Sequence, residues 1–296
     1  MDKREKKYFK VEEPLPGFFE ISSCFVQMHL LVGEHHALLV DTGYGFTNLP
    51  ELVREITDLP LYIVNSHGHV DHACGNSAFQ QPVFIHPADV PVFERHNSAE
   101  YREIVYNSLK KVQSLLFFLP ILPKGLEKED CLQDKFDDFA EVTEGYTFDL
   151  GGRTAEVIEL PGHTPGSIGL YCRELKLLIT SDAINSNVYM FLPESTKVSV
   201  YRKSLYRAKE LDFDHFVTGH QSRLFPKQML DDYIEVVEHL DYKKGIPQKE
   251  HDMAPGKELR RCIQPGKPKK KAAGIVVSAD KLDLGNCETS AKLDVQ

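Results

Sequence analysis

Residues 65–76 read NSHGHVDHACGN, and three histidines and an aspartate fall within the six positions from His67 to His72. The stretch follows the apolar run LYIV, which predicts a short buried strand ending at the cluster. In extended chain, side chains two apart project to one side, so His67 and His69 can grip one ion. Asp71 and His72 fall where the loop turns into a short helix predicted over 71–79, and there they can face a second ion beside the first. Gly68 lets the backbone pass close to both. Imidazole and carboxylate suit zinc, and iron or manganese as well.

A first-row ion needs at least three protein ligands, so others must come from elsewhere in the chain. Three candidates stand at predicted strand ends. His163 lies in LPGHTPGS after AEVIEL, Asp182 in LLITSDA after KLLIT, and His220 in FVTGHQS after HFVT. Each has the form strand, turn, ligand, and strand ends that converge on one sheet edge build a site.

Apolar and β-branched runs predict strands within 17–32 and at 37–41, with GEHH as a turn. An amphipathic helix is expected to open near Thr47, with Leu52, Ile56 and Leu59 on one face. After strand PVFIH comes a helical stretch over about 98–117 and an irregular segment to about 140. EVTEGYTFDL, RTAEVIEL, SIGLYCREL and KLLITSD read as strands. A helix near 199–211, strand HFVTGH and a last helix over about 226–243, with proline at its opening, follow. The tail after 250 is rich in Lys, Pro and Gly and ends in a strand, AGIVVSAD. Such alternation predicts two mixed sheets packed together with helices outside. No linker is long enough to force two independent domains.

The 296 residues are 42% hydrophobic, enough for a sizeable core, and the net charge of −9 gives no broad basic surface for nucleic acid. MDKREKKYFK at the amino terminus has no apolar core of a secretory signal, and the longest apolar run, 115–122, is too short to span a bilayer. The expectation is a cytoplasmic protein with a small-molecule substrate, no nucleic-acid partner and no membrane. The cysteines, at 24, 74, 131, 172, 262 and 287, form no CxxC pair, so a thiolate zinc ribbon is not expected.

HGHVDH, GHTPGS, the aspartate of SDA, the histidine of TGH and the early LLVDTG occur in one order over roughly 17–245. In these features the chain resembles the metallo-β-lactamase-fold hydrolases, in their glyoxalase II and lactonase-like branch. The resemblance implies an α+β fold, a four-layer αββα sandwich of two mixed β-sheets with outer helices. It implies one domain over 1–250 with a helical insertion at about 98–140, and an extension over 251–296 packing on it. It also implies two zinc ions per chain, with iron or manganese as alternatives. His67, His69 and His163 would hold the first ion, Asp71, His72 and His220 the second, and Asp182 would bridge them. Asp41 would orient a ligand histidine by accepting its other N–H, and Asp71 would also handle the proton of the nucleophile.

The chemistry so implied is metal-assisted hydrolysis, with a metal-bound hydroxide attacking a small ester, thioester or lactone. An aspartate at position 182 argues against β-lactams, and GHQSRLF does not continue as glyoxalase II-type enzymes do. Lactonases of this fold often carry a tyrosine near the bridging aspartate, a place that Tyr189 in NSNVYMFLP fits. Tyr189 and Phe191 are the substrate-binding candidates, with Met190 between them. The aromatic insertion, with Tyr101, Tyr106, Leu115, Phe117 and Phe118, reads as a cap over the site, a homodimer surface or a core helix. An iron-dependent oxidoreductase or a phosphodiesterase on the same fold is the alternative. The eight other histidines, His35, His36, His96 and His251 among them, read as ordinary surface or core residues, and KPKKK in the tail as an exposed turn.

Overall fold

Phe216 and Val217 are neighbours in sequence yet lie in different hydrophobic cores. Successive side chains of a strand point to opposite faces, so this pair marks a sheet buried on both sides. The computed structural model describes residues 8–116, 121–131, 136–268 and 272–283. Residues 1–7, Phe117, Phe118, Lys269 to Lys271 and Cys287, all noted above, lie outside the described residues.

In chain order the first half contains β1 (Lys10–Leu15), β2 (Phe18–Ser23), β3 (Val26–Val32), β4 (Ala37–Val40), helix α1 (Leu49–Ile56), β5 (Leu61–Val64) and the short helix α2 (Val70–Ala73). Strand β6 (Val83–Ile85), helices α3 (Val90–His96), α4 (Ala99–Leu115) and α5 (Lys128–Cys131), and β7 (Phe139–Glu141) follow. Strands β1 to β7 form one sheet in that order, with β1 to β4 antiparallel and β4 to β7 parallel.

The second half contains β8 (Thr147–Asp149), β9 (Thr154–Glu159), β10 (Ile168–Cys172), β11 (Leu177–Ser181), β12 (Asn187–Met190), α6 (Val198–Glu210), β13 (His215–Thr218), β14 (Phe225–Pro226) and α7 (Met229–Glu238). It ends with β15 (Ile246–Pro247), β16 (Leu259–Ile263) and β17 (Gly274–Ser278). The second sheet has the order β14-β13-β11-β10-β9-β8, with β11 and β13 parallel.

Between the two sheets lies a core to which the first contributes Phe18, Leu38, Val40 and Val64 and the second Val157, Leu170, Ile179 and Val217. The outer face of the first sheet buries Leu30, Leu39 and Ile63 against Leu49, Leu52 and Val53 of α1. The outer face of the second buries Leu178 and Phe216 against Tyr201 and Leu205 of α6 and Tyr233 and Val237 of α7. This is the four-layer αββα arrangement. Strands such as ALLV, LYIV and LLITS are continuous apolar runs because both of their faces are covered.

Several boundaries differ from the sequence expectation. The Asn48 side chain caps α1 by accepting the Glu51 N–H at 3.3 Å, and the helix ends at Ile56, so Leu59 lies beyond it. The helix expected over about 98–117 is α4, capped by the Ser98 hydroxyl, which accepts the Tyr101 N–H; the preceding α3 was not expected. Pro226 opens no helix. It pairs with His215 as part of β14, and α7 starts at Met229.

The tail builds a third, four-stranded sheet, β12-β17-β16-β15, with β17 parallel to β12. Ile275 and Val277 enter the α6–α7 core, while Val276 faces a separate cluster with Phe191 and Leu192. Helix α4 buries Val105 and Leu109 against Val70 and Cys74, so it backs the loop that carries the histidine cluster. Among the described residues no helix is long and apolar enough to cross a membrane.

Phe216 is fully buried, so Phe216→Ala leaves a cavity under α6 and α7. Guanidinium unfolding should show a loss of about 3–5 kcal/mol; a loss below about 1 kcal/mol would mean that this layer is not close-packed.

Candidate metal centre

Strands β4 and β5 run parallel, and β9, β11 and β13 run alike because β10 is antiparallel to both β9 and β11. Their carboxyl ends meet at one edge of the sandwich. Asp41 follows β4, the 65–72 loop follows β5, His163 follows β9, Asp182 follows β11 and His220 follows β13. The contact between the sheets is direct: Ser181 Oγ donates to Asp41 Oδ2 at 3.0 Å. Asp41 and Ser181 both have positive φ, 67° and 46°, so each strand turns sharply at its last residue.

Two positions leave no room for a side chain. A Cβ on Gly68 would meet Asp89 O and Phe93 N at 2.6 Å, where the loop presses on α3. One on Gly219 would lie 2.3 Å from Asp182 Oδ1 and 2.8 Å from His72 Cε1. Asp89, which nothing in the sequence singles out, ties two ligand loops together. Its carboxylate accepts Gly68 N–H at 2.7 Å, Gly166 N–H at 2.7 Å and the Thr164 hydroxyl at 2.8 Å.

All seven expected ligands converge. His67, His69 and His163 form one group with ligand atoms within 4.8 Å of one another, and Asp71, His72 and His220 form another. Asp182 lies between them: its Oδ2 is 3.7 Å from His163 Nε2 and 3.1 Å from His220 Nε2, and its Oδ1 is 3.7 Å from His72 Nε2.

The outer nitrogen of each ring is held by a group that can only accept, or that is already committed as a donor. His72 Nδ1 donates to Asp41 Oδ2 at 2.8 Å, His163 Nδ1 to Tyr189 O at 2.8 Å and His220 Nδ1 to Phe25 O at 2.9 Å. Ser66 Oγ gives its proton to Asp41, so at 3.0 Å it accepts from His67 Nδ1. His69 is reversed, with Nε2 donating to Glu194 at 2.7 Å and Nδ1 turned inward.

The inner nitrogens thus face one another. His163 Nε2 and His69 Nδ1 stand 2.9 Å apart, while His67 Nε2 and His72 Nε2 are buried with no hydrogen-bond partner. Lone pairs so placed require a proton or a cation. The donor set of five imidazoles and two carboxylates fits divalent first-row ions.

Charge divides the site. Burial and the neighbouring His96 and His163 push His69 down to about 3, and burial with His72 and the other rings holds His67 well below its ordinary range. Burial also opposes charge on His72 and His220, but carboxylates outweigh it. Asp71, Asp41 and Asp182 raise His72 to about 9, and Asp182 and Asp71 raise His220 to about 10. Conversely, against the pull of burial, His220, His72 and His163 hold the Asp182 carboxyl far below the usual range.

The open side of the centre is a cavity of about 310 Å³ walled by Tyr44, Tyr189, Leu192, His251 and Met253, with Asn185, Ser186, Asn187 and Gln221 beside the ligands. Among its described lining residues none is lysine or arginine. Tyr189 is a wall residue. Phe191, expected beside it, does not line the cavity. It is buried behind Tyr189, at 5.0 Å between ring centroids, because β12 ends at Met190 and the chain beyond it packs Phe191 against Leu192, Leu259 and Val276.

Two histidines read as ordinary have places here. His251 lines the cavity, and His96 stacks on His69 at 4.3 Å and contacts Glu194 at 2.9 Å. Tyr44 and Glu194 carried no sequence signal. Both reach the site through loops.

A family model described as the metallo-beta-lactamase superfamily matches residues 22–220. Acyl-coenzyme A thioesterase MBLAC2 of Gallus gallus is 30% identical over 211 residues, covering 66% of this chain and 73% of that protein. Hydroxyacylglutathione hydrolase GloC of Haemophilus influenzae is 26% identical over 210 residues, covering 71% of this chain and 82% of that protein. Among solved structures, a metallo-beta-lactamase from Pontibacter korlensis superposes with a TM-score of 0.55 at 17% identity, over 78% of this chain and 99% of that one. This last likeness is one of fold.

Metal ligands must be deprotonated. With raised pKa values, His72 and His220 carry protons at neutral pH in the metal-free protein, whereas His69, at about 3, does not. Adding zinc to metal-free protein at pH 7 should therefore release protons from the Asp71/His72/His220 group. The affinity of that group should rise with pH toward 9. A pH-stat that records no proton release on binding would sink this assignment.

Proposed function

The chain belongs to the metallo-β-lactamase superfamily and is a hydrolase, and from that premise we propose that it is a dinuclear zinc thioesterase acting on small acyl thioesters. The observation that carries this reading is the carboxylate of Asp182 set between two complete groups of inward-facing nitrogen and oxygen donors. His67, His69 and His163 would hold one ion and Asp71, His72 and His220 the other, with Asp182 touching both. Bound divalent cations supply ionised water near neutral pH and polarise an acyl carbonyl.

The protein's own groups do the rest. Asp71 lines the cavity, and although burial opposes its charge, His72 and His220 keep its carboxyl below the usual range, so it stays ionised and can orient the attacking water by accepting its hydrogen bond. Burial together with Asp71 and Asp182 raises the phenols of Tyr44 and Tyr189. Both therefore stay protonated and offer hydrogen-bond donors toward the acyl or thiol portion of a substrate. Tyr189, Leu192 and Met253 supply an apolar wall for the acyl chain.

Substrate class follows from two supports. The relatives named above include an acyl-coenzyme A thioesterase and a hydrolase of acyl groups carried on glutathione. The cavity's described lining carries no cationic side chain that would pair with a phosphoryl or sulfuryl group at the reacting centre. A neutral acyl carbonyl suits it better. A thiolate is also a good leaving group that demands no strong general acid, and Asp71, held ionised, is a poor one.

Metal analysis of purified protein should find two zinc ions per chain, and chelation should abolish the release of free thiol from acyl thioesters. Zinc should restore it. Asp182→Asn should lower kcat/KM by at least about 100-fold, the scale at which even an outer partner of a metal ligand lowers activity. Equal turnover by wild type and Asp182→Asn would refute the shared carboxylate. Faster cleavage of phosphodiesters or lactones than of thioesters would move the substrate class, and bound iron with oxygen uptake would replace hydrolysis by redox chemistry.

A further inference from the structure

The ligand histidines are anchored from two unrelated parts of the chain. In the Asp71/His72/His220 group, the outer nitrogens are held by Asp41 and by Phe25 O, both from the first sheet and its loops. In the His67/His69/His163 group, two of the three are held by one short segment, 189–194. Tyr189 O takes His163 Nδ1–H, and Glu194 takes His69 Nε2–H at 2.7 Å.

That segment is in turn fixed by the C-terminal extension. Strand β12 ends at Met190 and pairs along its length with β17. Beyond it, three successive alternate carbonyls accept from lysines of the extension. Lys257 donates to Phe191 O at 3.0 Å, and Lys281 donates to Pro193 O at 3.0 Å and Ser195 O at 2.5 Å. Ser195 Oγ closes the loop onto His163 O at 2.9 Å. Glu194 therefore emerges from a turn whose flanking carbonyls are both fixed by a single buried ammonium.

The Glu194 side chain is 3% exposed. Its Oε1 accepts from His69 and, at 2.9 Å, from His96, and its Oε2 accepts from the Arg95 guanidinium. Although Glu194, His69 and His96 fall within ligand distance of one another, a cation among them would face Arg95. The direct hydrogen bonds already satisfy the carboxylate. The trio is an orienting network.

We propose that Glu194 is a positioning residue that fixes His69 with Nδ1 toward the first metal, and that the C-terminal extension, through Lys281, Lys257 and β17, sets the affinity of that metal and not of the second. A carboxylate on the far N–H of a ligand imidazole selects its tautomer and raises its basicity. The histidine of HxHxDH that binds through Nδ1 is the one most in need of this, because the shorter arm from Cβ to Nδ1 allows little correction by ring rotation. The inference rests on the reading of this cluster as a two-metal centre.

The test is zinc titration of metal-free wild type, Glu194→Gln, Lys281→Met, Lys257→Met and Asp41→Asn against a chromophoric chelator, with circular dichroism of each. Wild type should bind two equivalents. Glu194→Gln and Lys281→Met should weaken the same single equivalent roughly 10- to 100-fold, whereas Asp41→Asn, at a carboxylate that holds His72 directly and His67 through Ser66, should not spare the other equivalent. Combining Glu194→Gln with Lys281→Met should cost little more than the larger single effect, because both act through one turn. Combining Glu194→Gln with Asp41→Asn should weaken both equivalents.

A folded Glu194→Gln that binds both equivalents as tightly as wild type overturns the proposal, as does uniform weakening of both. A third equivalent lost with Glu194→Gln would make the trio a metal site and overturn it too. Should Lys281→Met fail to fold, Lys257→Met, at a more exposed lysine, carries the test of the strap. A wild type that binds no zinc would fell the two-metal reading itself, an outcome distinct from each of these.

Discussion

Five imidazoles and two carboxylates share one buried pocket because every ring is turned the same way: outer nitrogen held by the protein, inner nitrogen toward the centre. A buried N–H without an acceptor costs free energy comparable to a lost hydrogen bond. Asp41, Glu194 and the carbonyls of Tyr189 and Phe25 remove that cost on the outside. They thereby force it on the inside, where His67 Nε2 and His72 Nε2 have no protein partner and His163 Nε2 faces His69 Nδ1 at 2.9 Å. The protein has arranged its hydrogen bonds so that only a proton or a cation completes the set. Metal binding and the native arrangement of this edge are one equilibrium.

The sandwich makes the arrangement possible. Parallel neighbours β4 and β5, and the like-directed β9, β11 and β13, deliver their carboxyl ends to one edge. Loops can carry polar ligands there because the strands behind them are held by apolar residues buried on both faces, such as Val157 and Ile158 of β9 and Phe216 and Val217 of β13. Asp41 and Ser181 use left-handed backbone to turn at once, and Gly219 lets His220 approach Asp182. Asp89 then clamps the His67–His69 loop to the loop after His163. Strain and close approach are concentrated where the chemistry is, as expected of a site over-determined by its surroundings.

Charge separates the two halves of the centre before any ion arrives. In one group burial keeps His67 and His69 neutral; in the other, imidazole and carboxylate are paired as acid and base. The cavity in front adds aromatic and amide surface, with no lysine or arginine among its described lining residues.

Much of this was legible in the residues alone. HGHVDH announces a metal by its spacing, and His163, Asp182 and His220 each follow a recognisable strand, so the ligand set could be read from local pattern. Asp41 in LLVDTG was legible only through the family resemblance. The two-sheet architecture followed from apolar runs and turns. What could not be read was anything that depends on where a loop lies after folding. Glu194 sits in LPES, His96 at the end of a helix and His251 in a polar tail, with nothing local to mark them. Phe191 looked like a wall residue beside Tyr189, but β12 ends at Met190 and the chain beyond it packs Phe191 into a core with Leu259 and Val276.

The third sheet was hidden because β17 finds its partner β12 far back in the chain, Gly274 pairing with Asn187, and β16 joins only through β17. The sequence determined the ligand types and the sandwich, since both are set by short-range periodicity and by the chemistry of single side chains. Tertiary structure decided which nitrogen of each ring points inward and what holds it there, since a tautomer is fixed by a hydrogen-bond partner brought from far along the chain.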